Sequence, residues 1–440
     1  MTQLDLFTKT DREDLFEEIT NTDQLKEAFK KVKENKGSPG IDRQTIEEFG
    51  SNIEKELKQL SEEVKNWTYE PKPVKRIEIP KPGGKGVRKL GIPCVRDRIL
   101  QQSIKMSIED LFEEKFSDSS YGFRPYRNQE QAIKKAQGYV KEGGIWIVDM
   151  DLEKFFDKIP QDRLMSKLSQ TIKDKRVLRL IGNTLRSGTA MPDGLIETTE
   201  EGVVQGSPLS PLLSNIVLDE LDKELEKRGL SFCRFADDCN VFCRSEKAAK
   251  RVMSSLTNFI EKKMKLKVNK EKSKVAKSDK VKFLGMTIHQ GIIMISKKAI
   301  EKALEKIKSL VPRNSHQTIE QVIDKVNEWF RGWFEYFKMT EMPSQFVKIE
   351  AHVRRRIRAK IVAQQKSKKN LVNLLTKKGI DKAKANRSVY SKGRRTWALS
   401  HTSAVERAFS NGCFEAMGLL TFSHRKFPHW RNLSEWIKLA

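Results

Sequence analysis

No run of about 18 apolar residues occurs anywhere in the chain, so no membrane-spanning helix is expected. The opening residues, Met1 to Phe7, lack a basic segment followed by an apolar core, which argues against an export signal. Cysteine is scarce: the five residues Cys94, Cys233, Cys239, Cys243 and Cys413 include no Cys-x-x-Cys pair, and an odd count argues against a disulfide framework. The six histidines are scattered, which leaves no pattern for a zinc site. A reduced, cytoplasmic compartment is expected. Positive charge, by contrast, is abundant.

The 440 residues hold 85 Lys and Arg against 59 Asp and Glu, a net +26. Residues 301–440 contribute 29 basic and 12 acidic side chains, or +17 of that total. Between 351 and 400 there are 16 basic residues and a single acid, Asp381. A solvated helix face mixes both signs, so an excess this one-sided calls for a polyanion, nucleic acid above all. The alternative is a merely soluble surface. With 38% hydrophobic and 33% charged residues the chain is a folded protein, long enough for several packed units without staples.

Residues 12–66 read as helices, with apolar residues at helical spacing behind Asp23 and a break at 35–40. Residues 74–92 read as extended, around a Gly-rich turn at 81–86, and helical spacing resumes from Asp97 to Lys115. Residues 145–151 are strand-like with an acidic end, a helix starts near Pro160, and another occupies 206–227. A β-hairpin at 230–243, a helix at 245–265 and short strands at 282–295 follow. This irregular mixture is an α+β domain. Beyond 297 the chain turns helical, basic and strand-poor, with a softer break near 365–370.

Asp237 and Asp238 stand at the tip of the hairpin, between two apolar runs. Adjacent carboxylates cannot both be buried unpaired, since each loses several kcal/mol of hydration. They need a cation. A second acidic cluster, Asp149, Asp151 and Asp157, ends the strand at 145–151, where residues 149 and 151 share a face. Were that strand beside the hairpin, carboxylates from both could hold two Mg²⁺ ions about 3.5–4 Å apart. Hard oxygen donors suit Mg²⁺. Asp149 and Asp157 are equally well read as caps of a strand or helix.

These blocks, in this order, resemble a group II intron-encoded reverse transcriptase/maturase of the compact bacterial type without an endonuclease domain. The resemblance rests on residues 35–42, Arg76 to Pro82, Arg88 to Pro93, and Tyr121-Gly-Phe-Arg-Pro125. It continues through the Asp149–Asp157 segment, Gln205-Gly-Ser-Pro-Leu-Ser-Pro211, Phe235-Ala-Asp-Asp238, residues 266–273 and Phe283-Leu-Gly285. It implies a right-hand polymerase: an N-terminal extension (1–72), fingers and palm (73–296), a helical thumb (297–365) and a basic DNA-binding tail (366–440). Asp151, Asp237 and Asp238 would be catalytic and would hold the Mg²⁺ pair, for which Mn²⁺ could substitute, with the Leu152 carbonyl as a further ligand. Lys81 and Arg88 would clamp the dNTP triphosphate, or be ordinary surface charge. Phe156 would exclude the 2′-hydroxyl, and Gln205 and Gly206 would line the pocket floor near the template.

Arg124 would touch the template or make a structural ion pair, and Lys272 would protonate pyrophosphate or be a solvated lysine. Phe283, Leu284 and Gly285 would grip the primer. Phe235 replaces the family's usual tyrosine, with loss of one hydroxyl near primer or template. Arg354, Arg355, Arg356, Arg358, Arg394 and Arg395 would contact nucleic-acid backbone, and Trp397 would stack on a base or fill a small core. The implied partners are RNA template, a DNA or RNA primer, dNTPs, group II intron RNA and target DNA. Three alternatives remain: a splicing cofactor with dispensable polymerase activity, a domesticated relative in phage defence or DNA repair, and an RNA polymerase, against which Phe156 speaks.

Overall fold

Buried positions in the computed structural model follow the sequence periodicities closely enough to explain most elements. It describes residues 14–80, 86–191, 193–198, 200–391, 395–423, 425 and 427–430. The chain divides into two units between Lys277 and Ser278, so the short strands at 282–295 belong to the second.

In the first unit, β1 (Val74–Pro80) and β2 (Val87–Ile92) form an antiparallel pair running from Lys75 opposite Ile92 to Pro80 opposite Val87. The central strand β3 (Trp146–Met150) buries Ile147, Val148 and Met150. Two short strands, β4 (Thr189–Ala190) and β5 (Ile196–Glu197), complete the first sheet, β4 lying parallel to β1. The second sheet joins β3 to β6 (Ser231–Phe235), β7 (Asp238–Cys243) and β8 (Lys274–Lys277). Its order is β6-β7-β3-β8, antiparallel throughout.

Helices cover this core. The helix Thr22–Glu34 starts at Asn21, whose side chain accepts the Asp23 N–H, and not at Asp23 itself. Asparagine caps as well as aspartate does, and Asp23 in the first turn suits the helix dipole. The helix Val95–Glu113 is buried almost all round, and its polar groups are paired: Ser103 Oγ donates to the Ile19 carbonyl at 2.8 Å. Asp97, only 2% exposed, accepts the Tyr69 hydroxyl at 2.6 Å and the Lys72 N–H at 3.3 Å.

Burial lifts the Asp97 carboxyl to about 6, against the opposing pull of Tyr69 and Lys72. The folded state therefore binds the proton more tightly than the unfolded chain between about pH 4 and 6, and stability falls as pH rises through that window. Asp97→Asn removes the slope. In urea unfolding, wild-type stability minus variant stability should drop by about 2–3 kcal/mol from pH 4 to pH 7. A pH-independent difference would refute the assignment.

In the second unit, β9 (Met286–His289) and β10 (Ile292–Ile295) make a hairpin, followed only by helices among the described residues. The aromatic stripe of the helix Ile319–Phe337 is core, because Phe330 and Phe334 are buried and Phe334 stacks on Phe422 at 4.2 Å. Residues 418–423 return to that helix and to the helix Ser344–Gln364. Asn327 donates to the Gly418 carbonyl at 2.8 Å, and Glu350 accepts the Phe422 and Ser423 N–H groups at 2.7 and 2.9 Å. No helix among the described residues is long and apolar enough to cross a membrane.

Candidate active site

β3 and β7 bring the two acidic clusters together. Met150 pairs with Cys239, so Asp151, the next residue, lies level with Asp238 and beside the hairpin turn. That turn is Ala236-Asp237, closed by the Phe235–Asp238 pair. Asp151 is locked by its backbone: its N–H donates to Ser273 Oγ at 3.0 Å, and its carbonyl accepts the Asn269 N–H at 2.9 Å. Leu152 is buried and bridged to Val268. The segment at 266–273 thus fixes the first carboxylate.

Burial above all raises the Asp237 carboxyl from its ordinary range. Its own N–H opposes the rise, the Asp151 charge adds to it, and the Lys272 and Arg88 charges oppose it. Asp151, Asp237, Lys272 and Arg88 therefore share one electrostatic neighbourhood. The Lys272 ammonium lies 3.2 and 3.3 Å from the two Asp151 carboxylate oxygens. Asp238 opens β7 and is solvent-exposed. The Asp151 and Asp237 carboxylates are thus electrostatically coupled.

Around the pair, Phe156 is half-buried edge-on to Phe155, and its carbonyl accepts the Val203 N–H at 2.7 Å. The Gln205 carbonyl accepts the Gly91 N–H at 2.8 Å. Gly206, at φ 120°, leaves no room for a side chain, since a Cβ there would meet the Gly91 carbonyl oxygen at 2.3 Å. The Gln205-Gly206 loop is thus strapped to β2, which carries Arg88.

The Reverse transcriptase (RNA-dependent DNA polymerase) family model matches residues 79–288, and the Group II intron, maturase-specific domain model matches residues 300–379. Protein YkfC of Escherichia coli K12 is 32% identical over 297 residues, covering 58% of this chain and 77% of that protein. The chain belongs to the group II intron reverse transcriptase/maturase family. The group II intron-encoded protein LtrA of Lactococcus lactis is 34% identical over 209 residues, covering 47% of this chain but 34% of LtrA. A putative COX1/OXI3 intron 2 protein of Saccharomyces cerevisiae is 34% identical over 233 residues, or 53% of this chain and 26% of that protein. Among solved structures, apo telomerase from Candida tropicalis matches at 12% identity and TM-score 0.43, covering 75% of this chain and 69% of that one.

For a reverse transcriptase of this family, several expected nucleic-acid contacts are differently employed. Arg124 makes the structural ion pair: its side chain is 3% exposed, paired with Glu113 at 2.7 Å and donating to the Ser120 carbonyl at 2.9 Å. Two arginines of the helix Ser344–Gln364 are likewise turned into the protein interior. Arg356 donates to the Lys308 and Val311 carbonyls, Arg358 to the Phe409 carbonyl, and both are buried. Arg354 pairs with Glu350 at 3.7 Å, and Arg355 lies 4.2 Å over the Trp397 ring. The Nη2 of Arg356 and the Nε of Arg358 thus point inward, to the protein's own carbonyls. Arg395 is exposed. Lys81 and Arg394 lie outside the described residues.

Phe283, Leu284 and Gly285 form the loop into the β9–β10 hairpin, where the Tyr336 hydroxyl donates to the Leu284 carbonyl at 3.1 Å. Sequence reading missed three residues beneath the Ala236-Asp237 turn: Asn215, Asp222 and Arg234, all fully buried. The signal was present. Asp222 falls on the same helix face as Leu218, Leu221 and Leu225, where a carboxylate needs a buried cation.

Proposed function

We propose that this protein extends a primer with dNTPs on an RNA template and also binds group II intron RNA to assist splicing and retromobility. The observation that carries this is the electrostatic coupling of Asp151 and Asp237 across β3 and the β6–β7 turn, with Lys272 and Arg88 beside them. Two neighbouring carboxylates, one of them disfavoured as an anion by burial, are a donor set suited to a hard divalent cation. Asp151 and Asp237 would hold Mg²⁺, with Asp238 and the Leu152 carbonyl as further ligands. When bound, magnesium (two ions, with Mn²⁺ able to substitute) supplies Lewis acidity at the primer 3′-hydroxyl and charge neutralisation at the leaving pyrophosphate.

The chain's own residues do the rest. Arg88 and Lys81 clamp the triphosphate through charge-assisted hydrogen bonds. Lys272 neutralises Asp151 before substrate arrives, in an ion pair exposed enough to exchange readily. Once exchanged, its ammonium is the proton donor for pyrophosphate. Gln205 and Gly206 form the pocket floor, Phe235 faces primer or template without a hydroxyl, and Phe283–Gly285 holds the primer strand. The reading places residues 297–365 in the role of thumb and 366–440 in DNA contact, within a bacterial cytoplasm.

Phe156 puts an apolar ring where a ribose hydroxyl would find no partner. Phe156→Ala should therefore reduce discrimination against ribonucleotides by about 10- to 100-fold, read as the ratio of kcat/KM for dTTP and UTP. An unchanged ratio removes Phe156 from that role. The activity itself is tested by primer extension on poly(rA)/oligo(dT) with Mg²⁺. A second reading, a splicing cofactor with weak polymerase activity, is favoured by Phe235 together with the maturase-specific match at 300–379. Absence of dTTP incorporation at any salt concentration would decide for it.

A further inference from the structure

The turn that carries Asp237 rests on a buried network with no exposed side chain. Arg234 Nε donates to both Asp222 oxygens at 2.8 and 3.0 Å. Arg234 Nη1 donates to Asn215 Oδ1 and to the Ala236 carbonyl, each at 2.9 Å. Asn215 Nδ2 in turn donates to the Gly122 carbonyl at 2.8 Å. Gly122 is pressed against the turn, for a Cβ there would stand 2.2 Å from the Ala236 nitrogen. The main chain of Arg234 is held as well: its N–H donates to Ser119 at 2.8 Å and its carbonyl accepts from Tyr121 at 2.9 Å.

We propose that Arg234 is a positioning residue that sets the Asp237 carboxylate by gripping the Ala236–Asp237 peptide plane. The inference rests on the polymerase reading of the site. A peptide group is planar, so holding the Ala236 oxygen also fixes the Asp237 N–H on its far side and the direction in which the Asp237 Cα leaves. That N–H acts on the Asp237 carboxylate itself. A continuous chain thus runs from Asp222 through the guanidinium and one peptide group to the coupled acid. Ala236 sits at φ 55°, in the left-handed region that alanine avoids, so the turn needs an external hold to stay there.

The residue types fit this role better than a purely stabilising one. A buried ion pair is weak as a source of stability, since packed apolar side chains of similar volume often do as well or better. What a guanidinium adds is a rigid fork that reaches a carboxylate, an amide and a carbonyl at fixed angles. Lysine keeps the charge but loses the fork.

The test uses the full chain, with Arg234→Lys and Asp222→Asn beside the wild type. Three quantities are read: dTTP incorporation on poly(rA)/oligo(dT), affinity for the same template–primer by anisotropy, and Mn²⁺ binding by electron paramagnetic resonance. A displaced carboxylate predicts a kcat about 100-fold lower for Arg234→Lys, with KM for dTTP and template–primer affinity within about threefold of wild type. Mn²⁺ binding should weaken about tenfold in the same variant. Asp222→Asn should move kcat and Mn²⁺ affinity in the same direction by less. A variant that binds template–primer normally, with kcat and Mn²⁺ affinity within about twofold of wild type, overturns the proposal. Loss of template–primer binding together with activity in both variants also overturns it, by assigning the network to the fold alone. If the wild type extends no primer, the polymerase reading fails, and the Mn²⁺ titration decides the positioning role by itself.

Discussion

Asp237→Asn should abolish primer extension, lowering kcat by roughly 10³-fold or more, while template–primer affinity stays within about a factor of two. The two halves of this expectation have different physical origins. If Asp237 and Asp151 hold Mg²⁺ as proposed, catalysis needs anionic oxygen from both, and an amide of the same shape supplies neither the charge nor a comparable donor. Several kcal/mol of transition-state stabilisation are then lost, and each 1.4 kcal/mol is a factor of ten in rate. On the proposed function, nucleic-acid affinity would come from phosphate contacts spread over many cations, and the turn Ala236-Asp237 offers none.

Stability separates the two roles further. The Asp237 carboxyl is raised above its ordinary range by burial and by the Asp151 charge. A folded-state value above the unfolded one means that the ionised group costs stability once the pH exceeds both. Asparagine carries no such cost, so without divalent cation the variant should melt no lower than the wild type at neutral pH. Added Mg²⁺ should raise the melting temperature of the wild type and leave Asp237→Asn nearly unmoved. A variant that melts well below the wild type, or that retains substantial extension, would show that Asp237 is a structural residue.

The polymerase half of this chain was legible because its key elements obey short-range rules. Strand alternation places Asp151 at the end of β3, and two apolar runs flanking a two-residue tip predict the β6–β7 hairpin. Lys274–Lys277 (β8) alternates too weakly to be read as a strand, and its pairing with β3 defines it. β4 and β5, at two residues each, carry no periodicity to detect. The larger misreading concerned charge. Arginine is ordinarily exposed, yet Arg234 in β6, Arg124 in a loop, and Arg356 and Arg358 on a helix are buried. Helix geometry held the correction: Ile349, Val353, Arg356 and Lys360 fall on one stripe of the helix Ser344–Gln364.

The inward bonds of Arg356 and Arg358 predict that Arg356→Ala and Arg358→Ala are folding lesions in the second unit, and that template binding keeps its salt dependence. Arg356 Nη2 closes the C-terminus of the helix Lys297–Leu310 by donating to the Lys308 carbonyl at 3.2 Å and the Val311 carbonyl at 2.9 Å. Carbonyls at a helix end are favourable partners for a cation and costly to leave buried and unpaired. Arg358 Nε donates to the Phe409 carbonyl at 2.9 Å, and its Nη1 lies 3.5 Å from Glu406. Each substitution should cost about 2–3 kcal/mol in urea unfolding. The two side chains serve different partners, so the costs should nearly add. The exposed lysines behave oppositely. Lys366, Lys369 and Lys377 are solvent-exposed, and replacing one of them by alanine should leave stability unchanged within about 0.5 kcal/mol. If those lysines carry the phosphate contacts, each substitution lowers the slope of log affinity against log salt by about one. Should Arg356→Ala flatten that slope without loss of stability, the buried guanidinium reaches phosphate after all and the internal role assigned to it is wrong.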